Sequence, residues 1–132
     1  MNKPRVDLIK AYITKAQDKV SVARELLDHQ HYDDAASRAY YAAFRMAQAA
    51  LLAEGQQAGS HKGVVTLFGL LLVKTGKIDR RFGKMLSNLK DERESGDYEA
   101  ISFIDEETAR RADEEAEGFC KAVQEYLQPL IS

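Results

Sequence analysis

The apolar residues of this chain recur at steps of three and four, the spacing of one face of an α-helix. The first such run follows Pro4, which suits the first turn of a helix, and it predicts a helix over about 5–29. The residues of its apolar seam are Ile9, Ile13, Ala16, Val20, Ala23 and Leu27. The sequence HQHY at 29–32 interrupts the pattern, and Asp33 is the predicted N-cap of the second helix.

The second helix, predicted to run to about Glu54, contains the most uniformly apolar stretch of the chain. Residues 35–52 include no glycine or proline and are rich in alanine. Alanine has the best helix propensity and loses no side-chain entropy. We therefore expect this helix to be buried nearly all round, with the other helices packed against it. Its predicted apolar side consists of Ala36, Tyr40, Ala43, Phe44, Ala47, Ala50 and Leu51.

The same helix also carries a narrow polar stripe. The stripe consists of Ser37, Arg38, Tyr41, Arg45 and Gln48. Two arginines beside a tyrosine suit a phosphate or RNA site, or a hydrated dimer interface. The alternative is a solvated stripe with arginines that extend to water.

The third helix is predicted over about 61–74, with Ser60 as its N-cap. Its segment VVTLFGLLLV is apolar on every side, which predicts that it is well buried. Gly76 in the sequence TGK is the expected left-handed residue that ends it.

Two further helices complete the chain. Asp79 is the predicted N-cap of the fourth, which is expected to end near Arg93, before an irregular stretch at 94–105. Asp105 is the predicted N-cap of the fifth. The seam of the fifth helix is Ala109, Ala112, Ala116, Phe119, Val123, Leu127 and Leu130. No strand pattern occurs, so the sequence predicts an all-α, five-helix up-and-down bundle in a single domain over 1–132.

Composition narrows the setting in which such a bundle works. No apolar run reaches the ~20 residues that span a bilayer, and the first ten residues lack the apolar core of a signal peptide. The single cysteine, Cys120, excludes an internal disulfide and fits a small core residue. We therefore expect a cytoplasmic protein.

The net charge of −2 hides an uneven distribution. Residues 1–90 carry a balance of +7, whereas residues 91–117 carry −9. A general nucleic-acid coat is therefore not expected, but the asymmetry suits contact between subunits or with another protein. A local basic patch is formed by Lys74, Lys77, Arg80, Arg81 and Lys84. This patch suits nucleic acid, or alternatively forms a solvated face.

The histidines indicate no metal site, and we expect no cofactor. His29, His31 and His61 have no cysteine or histidine partner at helical ligand spacing, and no phosphate-cradling glycine loop is present. His61 and Lys62 open the third helix, where free N–H groups favour anions. They are candidate phosphate contacts, or simply surface residues of a first turn.

Four motifs, in order, resemble the HEPN family (higher eukaryotes and prokaryotes nucleotide-binding domain). They are SRAYYAAF at 37–44, SHKGVVTLF at 60–68, VKTGKIDRRFGKML at 73–86 and RESGDY at 93–98. The resemblance covers most of the chain. It implies the same helical bundle, usually as a homodimer.

The resemblance also implies a chemistry. Many HEPN proteins are metal-independent ribonucleases whose motif is an arginine followed, after four to six residues, by a histidine. Arg93 lies where that arginine is expected, but the positions for the histidine hold Tyr98, Glu99 and Ala100. Asp97 is the nearby candidate base, although an exposed aspartate has a pKa of about 3.9; it could instead hold Arg93 in a bidentate pair. Arg93, Asp97 and Tyr98 are therefore the candidate catalytic group.

A second match to the arginine–histidine pattern lies elsewhere. Arg24 is followed by His29 and His31 at suitable spacings, but at the end of the first helix and not at the position of the family motif. A histidine there also suits the negative end of a helix dipole.

Three hypotheses follow from these observations. The first is a nucleotide- or RNA-binding module that lacks the family's catalytic histidine and belongs to a toxin–antitoxin-like pair with a nucleotidyltransferase-like partner. Its binding residues would be Arg38, Tyr41, Arg45, His61 and Lys62. The second is an active ribonuclease that uses Arg93. The third is a structural dimeric adaptor without a ligand.

Overall fold

The computed structural model describes residues 1–98 and 104–132, with side chains for all of these except 95–98. The described chain forms five α-helices, and no β-strand occurs within it, which confirms the predicted all-α class. A π-helical segment continues α3 without interruption. The elements are α1 Lys3–Asp28, α2 Tyr32–Ala53, α3 His61–Phe68, the π-helical segment Gly69–Val73, α4 Arg80–Tyr98 and α5 Glu106–Ile131.

The second helix lies at the centre of the bundle, as predicted. It contacts α1, α3, α4 and α5. All seven residues of its predicted apolar side are buried. Alanine methyl groups form much of this surface, so neighbouring backbones can approach it closely. Its larger buried side chains then fill the space between helices, and they include Tyr40, Phe44, Met46 and Leu51.

Local sequence signals set most of the helix ends. Ser60, Asp79 and Asp105 each accept a hydrogen bond from a backbone N–H two or three residues later, at 2.8–2.9 Å. Gly76 has φ +79°, the left-handed conformation predicted for the end of the third helix. These four predictions are confirmed.

The predicted N-cap of α2 is wrong. The cap position is His31, which makes no side-chain capping bond, and the helix begins at Tyr32. Asp33 lies inside the first turn together with Asp34. Acidic side chains in a first turn complement the helix dipole, so Asp33 stabilises this terminus by its charge and not as the N-cap.

The third helix is less buried than its composition predicts. Val64, Phe68 and Leu72 form one buried row, but Leu70 is 49% exposed. The helix packs on α2 and α4 along one side, so its opposite side faces solvent. The expectation that this segment is well buried therefore holds only for this one row of residues.

The fourth helix continues past its predicted end. It runs to Tyr98, so Arg93 lies within a helix and not at its end. Lys90 Nζ binds Glu94 Oε1 at 2.6 Å, an i,i+4 pair of the kind that supports a helix. The predicted irregular stretch therefore does not begin at 94, and its residues 99–103 lie outside the described part of the chain.

An ion pair between an exposed arginine and a buried carboxylate joins the first and last helices. Asp113 is 2% exposed and accepts a hydrogen bond from Arg24 Nε at 2.9 Å. The same guanidinium reaches Glu117. Arg24 is therefore occupied in a contact between helices, and His29 lies at the end of α1 with its Nδ1 2.8 Å from the Glu25 carbonyl oxygen.

The helices of the bundle are amphipathic or short. Within residues 1–98 and 104–132, none of them is both long and apolar enough to cross a bilayer.

Because α2 lies at the centre of the bundle, we expect replacement of one of its buried alanines by a larger residue to destabilise the fold. Ala47 is 0% exposed, so Ala47→Leu should lower the free energy of unfolding by about 1–3 kcal/mol through overpacking. Ala11→Leu adds the same side chain at an exposed position of α1 and is the matched control. Urea unfolding measures both, and equal midpoints for the two variants would contradict the packing described here.

Candidate functional site

Arg93 projects from the fourth turn of α4 towards α2. Its Nη2 donates a hydrogen bond to the Tyr41 hydroxyl oxygen at 3.0 Å. Its guanidinium carbon lies 5.2 Å from the centre of the Tyr41 ring and 5.7 Å from that of Tyr40. Both distances are within the range of a cation–π interaction. Two adjacent tyrosines of α2 therefore hold the arginine of the RESGDY motif.

His61, the first residue of α3, lies against the same two tyrosines. Its Nδ1 is 2.7 Å from the Tyr40 hydroxyl oxygen. Its ring stacks on Phe44 with centroids 4.4 Å apart and an 8° interplanar angle, and meets the Tyr41 ring edge-on at 5.7 Å. The imidazole is therefore fixed on two sides. Among the described contacts no hydrogen bond involves its second nitrogen, Nε2.

The sequence SHKG explains how the imidazole comes to this position. Ser60 caps α3 through the N–H of Gly63, which fixes the first turn and the direction of the His61 side chain. A Cβ at Gly63 would lie 2.9 Å from the Ser60 hydroxyl oxygen. A larger residue three positions after the cap would displace the capping oxygen, which gives the glycine of the motif a structural reason.

Arg45 brings a second guanidinium to this surface. Its Nη1 donates to Gln48 Oε1 at 2.8 Å, and its guanidinium carbon lies 5.5 Å from the centre of the Phe44 ring. Its Nε is buried without a hydrogen-bond partner among the described residues. A buried donor without a partner is uncommon in folded proteins.

The electrostatic environment favours a neutral imidazole. Burial, followed by the positive charges of Arg93, Arg45 and Lys90, lowers the pKa of His61, and Glu94 opposes this shift. The hydrogen bond from Lys90 is the main cause that lowers the pKa of Glu94, so this carboxylate is ionised near pH 7. The site therefore combines an uncharged imidazole with several fixed charges.

Tyr40 remains a protonated phenol in this environment. Burial is the largest cause that raises its pKa, and the positive charge of Arg93 acts in the opposite direction. A phenol hydroxyl can both donate and accept a hydrogen bond. Tyr40 can therefore hold His61 whether or not Nδ1 carries a proton.

The structure brings together four of the residues that the sequence singles out. Tyr41, Arg45, His61 and Arg93 share one aromatic and cationic cluster, which we call the Arg93 cluster. Tyr40, Phe44, Lys90 and Glu94 also belong to it. Sequence analysis assigned Tyr40 and Phe44 to the core alone, and it did not consider Lys90 and Glu94. The adjacent pair Tyr40–Tyr41 was the signal available in the sequence. Adjacent residues of a helix point in directions 100° apart, so the two tyrosines face different neighbours.

Two of the other predicted site residues lie apart from this cluster. Arg38 and Lys62 are exposed, and no described contact joins either of them to Arg93. Asp97 and Tyr98 belong to the last turn of α4, but their side chains lie outside the described part of the structure. Within the described residues there is no group of three or more side chains that could hold a metal ion.

The basic patch faces solvent at the other end of α4. All five of its residues are exposed. Lys77 pairs with Glu54, and the Arg81 guanidinium lies 4.7 Å from the centre of the Phe82 ring. Arg80 is about 20 Å from Arg93 along the helix axis at 1.5 Å per residue. The patch is therefore separate from the Arg93 cluster.

Comparison with known proteins identifies the family. Residues 9–126 match the HEPN domain family. A "UPF0332 protein" of Thermotoga maritima is 32% identical over 123 residues, which cover 93% of each chain. A protein of Methanocaldococcus jannaschii named "Putative toxin MJ0605" is 33% identical over 131 residues, which cover 99% of this chain and 97% of that one. The chain belongs to the HEPN family, and the resemblance of its motifs is confirmed.

A solved structure supports the fold independently. The crystal structure of the protein TT1696 from Thermus thermophilus superposes with a TM-score of 0.76. The match covers 90% of this chain and 98% of that chain at 19% sequence identity. At this identity the likeness establishes the helical bundle alone.

The pKa of His61 provides a direct test of the cluster. In an NMR titration of the ring, its midpoint should lie below the ordinary histidine value of about 6.5. Arg93→Gln removes a positive charge and should raise that midpoint, because the charge disfavours the imidazolium. Arg80→Gln removes the same charge from the distant patch and is the control. An unchanged midpoint in Arg93→Gln would show that the two side chains do not interact.

Proposed function

We propose that this protein is a toxin-type HEPN module that binds the phosphate groups of RNA or of a nucleotide at the Arg93 cluster. The observation that carries this proposal is the meeting of Arg93 and Arg45 with the half-buried ring of His61. Guanidinium groups recognise phosphate well because their planar donors match two of its oxygens. In a partly desolvated site such contacts are stronger than in water.

The aromatic part of the cluster supports a nucleic-acid ligand over a free anion. The ring of Tyr41 is only partly buried and lies between Arg93 and His61. Proteins that bind single-stranded RNA combine cations for the backbone with aromatic rings on which bases stack. Tyr41 is suitably placed for the second role.

The names of relatives support the toxin type. Besides the protein already described, "Putative toxin MJ0142" of M. jannaschii is 28% identical over 115 residues, which cover 87% of this chain. A toxin requires a counterpart that restrains it. From the HEPN resemblance we propose a nucleotidyltransferase-like partner and a homodimer. The opposite charge balances of residues 1–90 and 91–117 suit such protein contacts.

Binding to RNA is tested with Arg93 variants. Arg93→Ala should weaken binding of a single-stranded RNA oligonucleotide about 10- to 150-fold, the effect of losing hydrogen bonds to a charged group worth about 1.5–3 kcal/mol. Arg93→Lys should recover only part of the affinity, since lysine keeps the charge but loses the planar donors. Fluorescence anisotropy at fixed salt measures all of these variants.

The matched control is Arg80→Ala, which removes an exposed arginine from the same helix. It should leave affinity within about twofold, apart from a small electrostatic effect. If Arg80→Ala weakens binding as much as Arg93→Ala does, the ligand is held by general charge and not by the Arg93 cluster. If the wild type binds neither RNA nor nucleotide, the adaptor hypothesis gains and the proposal fails.

Assembly is tested by mass. Light scattering on the purified chain should give twice the mass of 14.8 kDa, and co-expression with a nucleotidyltransferase-like protein from the same host should yield a larger complex. A monomer at all accessible concentrations would contradict the homodimer. Absence of any complex would contradict the proposed partner without affecting the RNA-binding test.

A further inference from the structure

The structure places the imidazole of His61 near Arg93, a proximity that the sequence alone does not reveal. Positions 98–100, where the HEPN motif would have its histidine, hold none. His61 precedes Arg93 by 32 positions, yet both side chains contact the Tyr40–Tyr41 pair. We infer that His61 is a catalytic residue for RNA cleavage and accepts the proton of a 2′-hydroxyl while Arg93 holds the adjacent phosphate. This inference rests on the proposed function.

The position of His61 meets the geometric needs of a base. Tyr40 holds Nδ1, and the Phe44 ring fixes the plane of the imidazole. With a proton on Nδ1 donated to the Tyr40 oxygen, Nε2 carries the lone pair. A ring held at one nitrogen by a hydrogen-bond partner, with the other nitrogen facing the reaction, is the arrangement that general-base histidines require.

The reaction is a transesterification within the RNA. Nε2 takes the proton of the 2′-hydroxyl, the 2′ oxygen forms a bond to phosphorus, and the bond from phosphorus to the 5′ oxygen breaks. The leaving 5′ oxygen takes a proton from water, and the resulting hydroxide takes the proton back from Nε2. Arg93 and Arg45 stabilise the negative charge that develops on the phosphoryl oxygens. The products are a 2′,3′-cyclic phosphate and a 5′-hydroxyl end.

The charges around His61 set the pH at which it works. Burial, followed by the positive groups that outnumber the negative ones, lowers its pKa, so the neutral, proton-accepting form dominates at pH 7. Cleavage should therefore rise with pH and level off below about pH 6.5, the ordinary pKa of histidine. Among the side chains that the structure describes, the groups that face or adjoin the ring come from three helices. They are Tyr40, Tyr41 and Arg45 of α2, Lys62 of α3, and Lys90, Arg93 and Glu94 of α4.

The test measures binding and cleavage separately on the full chain. A labelled single-stranded RNA is incubated in EDTA with the wild type, His61→Gln and Tyr40→Phe. His29→Gln is the matched control, because it alters an exposed histidine outside the cluster. A second substrate carries a 2′-deoxy sugar at the cleaved position. Anisotropy gives the affinity of each protein for each RNA.

The wild type should cleave RNA to 2′,3′-cyclic phosphate ends and leave the deoxy position intact. His61→Gln should lose at least 100-fold in rate, the usual minimum contribution of a general base, while its RNA affinity stays within a few-fold. Tyr40→Phe should cleave more slowly than the wild type but faster than His61→Gln, because it loosens the base without removing it. His29→Gln should cleave as the wild type does.

Three results would overturn the inference. Binding without cleavage by the wild type, or equal cleavage by His61→Gln, would leave the proposed RNA-binding function standing and remove the catalytic role. A wild-type rate that keeps rising well above pH 6.5 would also exclude His61 as the base, and this measurement depends on no variant being folded. Absence of RNA binding by the wild type would overturn the proposed function as well.

Discussion

The close approach of four helices to α2 is the constraint on which the rest of this structure depends. That approach is possible because most buried side chains of α2 are single methyl groups, and interiors of proteins are packed about as densely as organic crystals. A central helix with larger side chains would hold its neighbours farther away. The few large residues of α2 then help to define where each neighbour lies: Tyr40 contacts both His61 of α3 and Arg93 of α4, and Phe44 stacks on His61.

The Arg93 cluster is a consequence of this arrangement. Because α2 is covered on most sides, its polar stripe is narrow, and α4 crosses that stripe near Tyr41. A guanidinium in such a partly buried region needs hydrogen-bond acceptors or aromatic rings that interact with its charge. The phenol oxygen and the two aromatic rings serve this need. The same lack of water, together with the neighbouring cations, keeps the imidazole of His61 neutral.

Local signals in the sequence were sufficient for most of the fold. N-caps at Ser60, Asp79 and Asp105 depend on one side chain and a backbone N–H nearby, so their residue types identify them. Helical seams depend on spacing alone. The predictions that failed concern helix ends, where more than one local sequence signal competes. Asp33 resembles a cap, but the helix begins one residue before it, and α4 continues into the stretch predicted to be irregular from 94.

The candidate site was only partly accessible to sequence reasoning. Arg93 and His61 were each singled out by motif, but their proximity depends on how α3 and α4 pack against α2. Spacing along the chain contains no information on such a contact. The family motif indicates a histidine at positions 98–100, where none occurs. The imidazole that contacts Tyr40 and Tyr41, as Arg93 does, is that of His61 at the start of α3.

Tyr40 belongs both to the core and to the candidate site, and this has a consequence for how the protein can change over evolution. Its ring is fully buried in the core, while its hydroxyl holds the histidine of the site. Phenylalanine would fill the same space in the core, so packing alone exerts little selection for the hydroxyl. A lineage that retains tyrosine here retains it for the site, and a lineage that drifts to phenylalanine has relaxed selection on that site while keeping its bundle. The identity of this one buried residue thus records whether the site is still under selection.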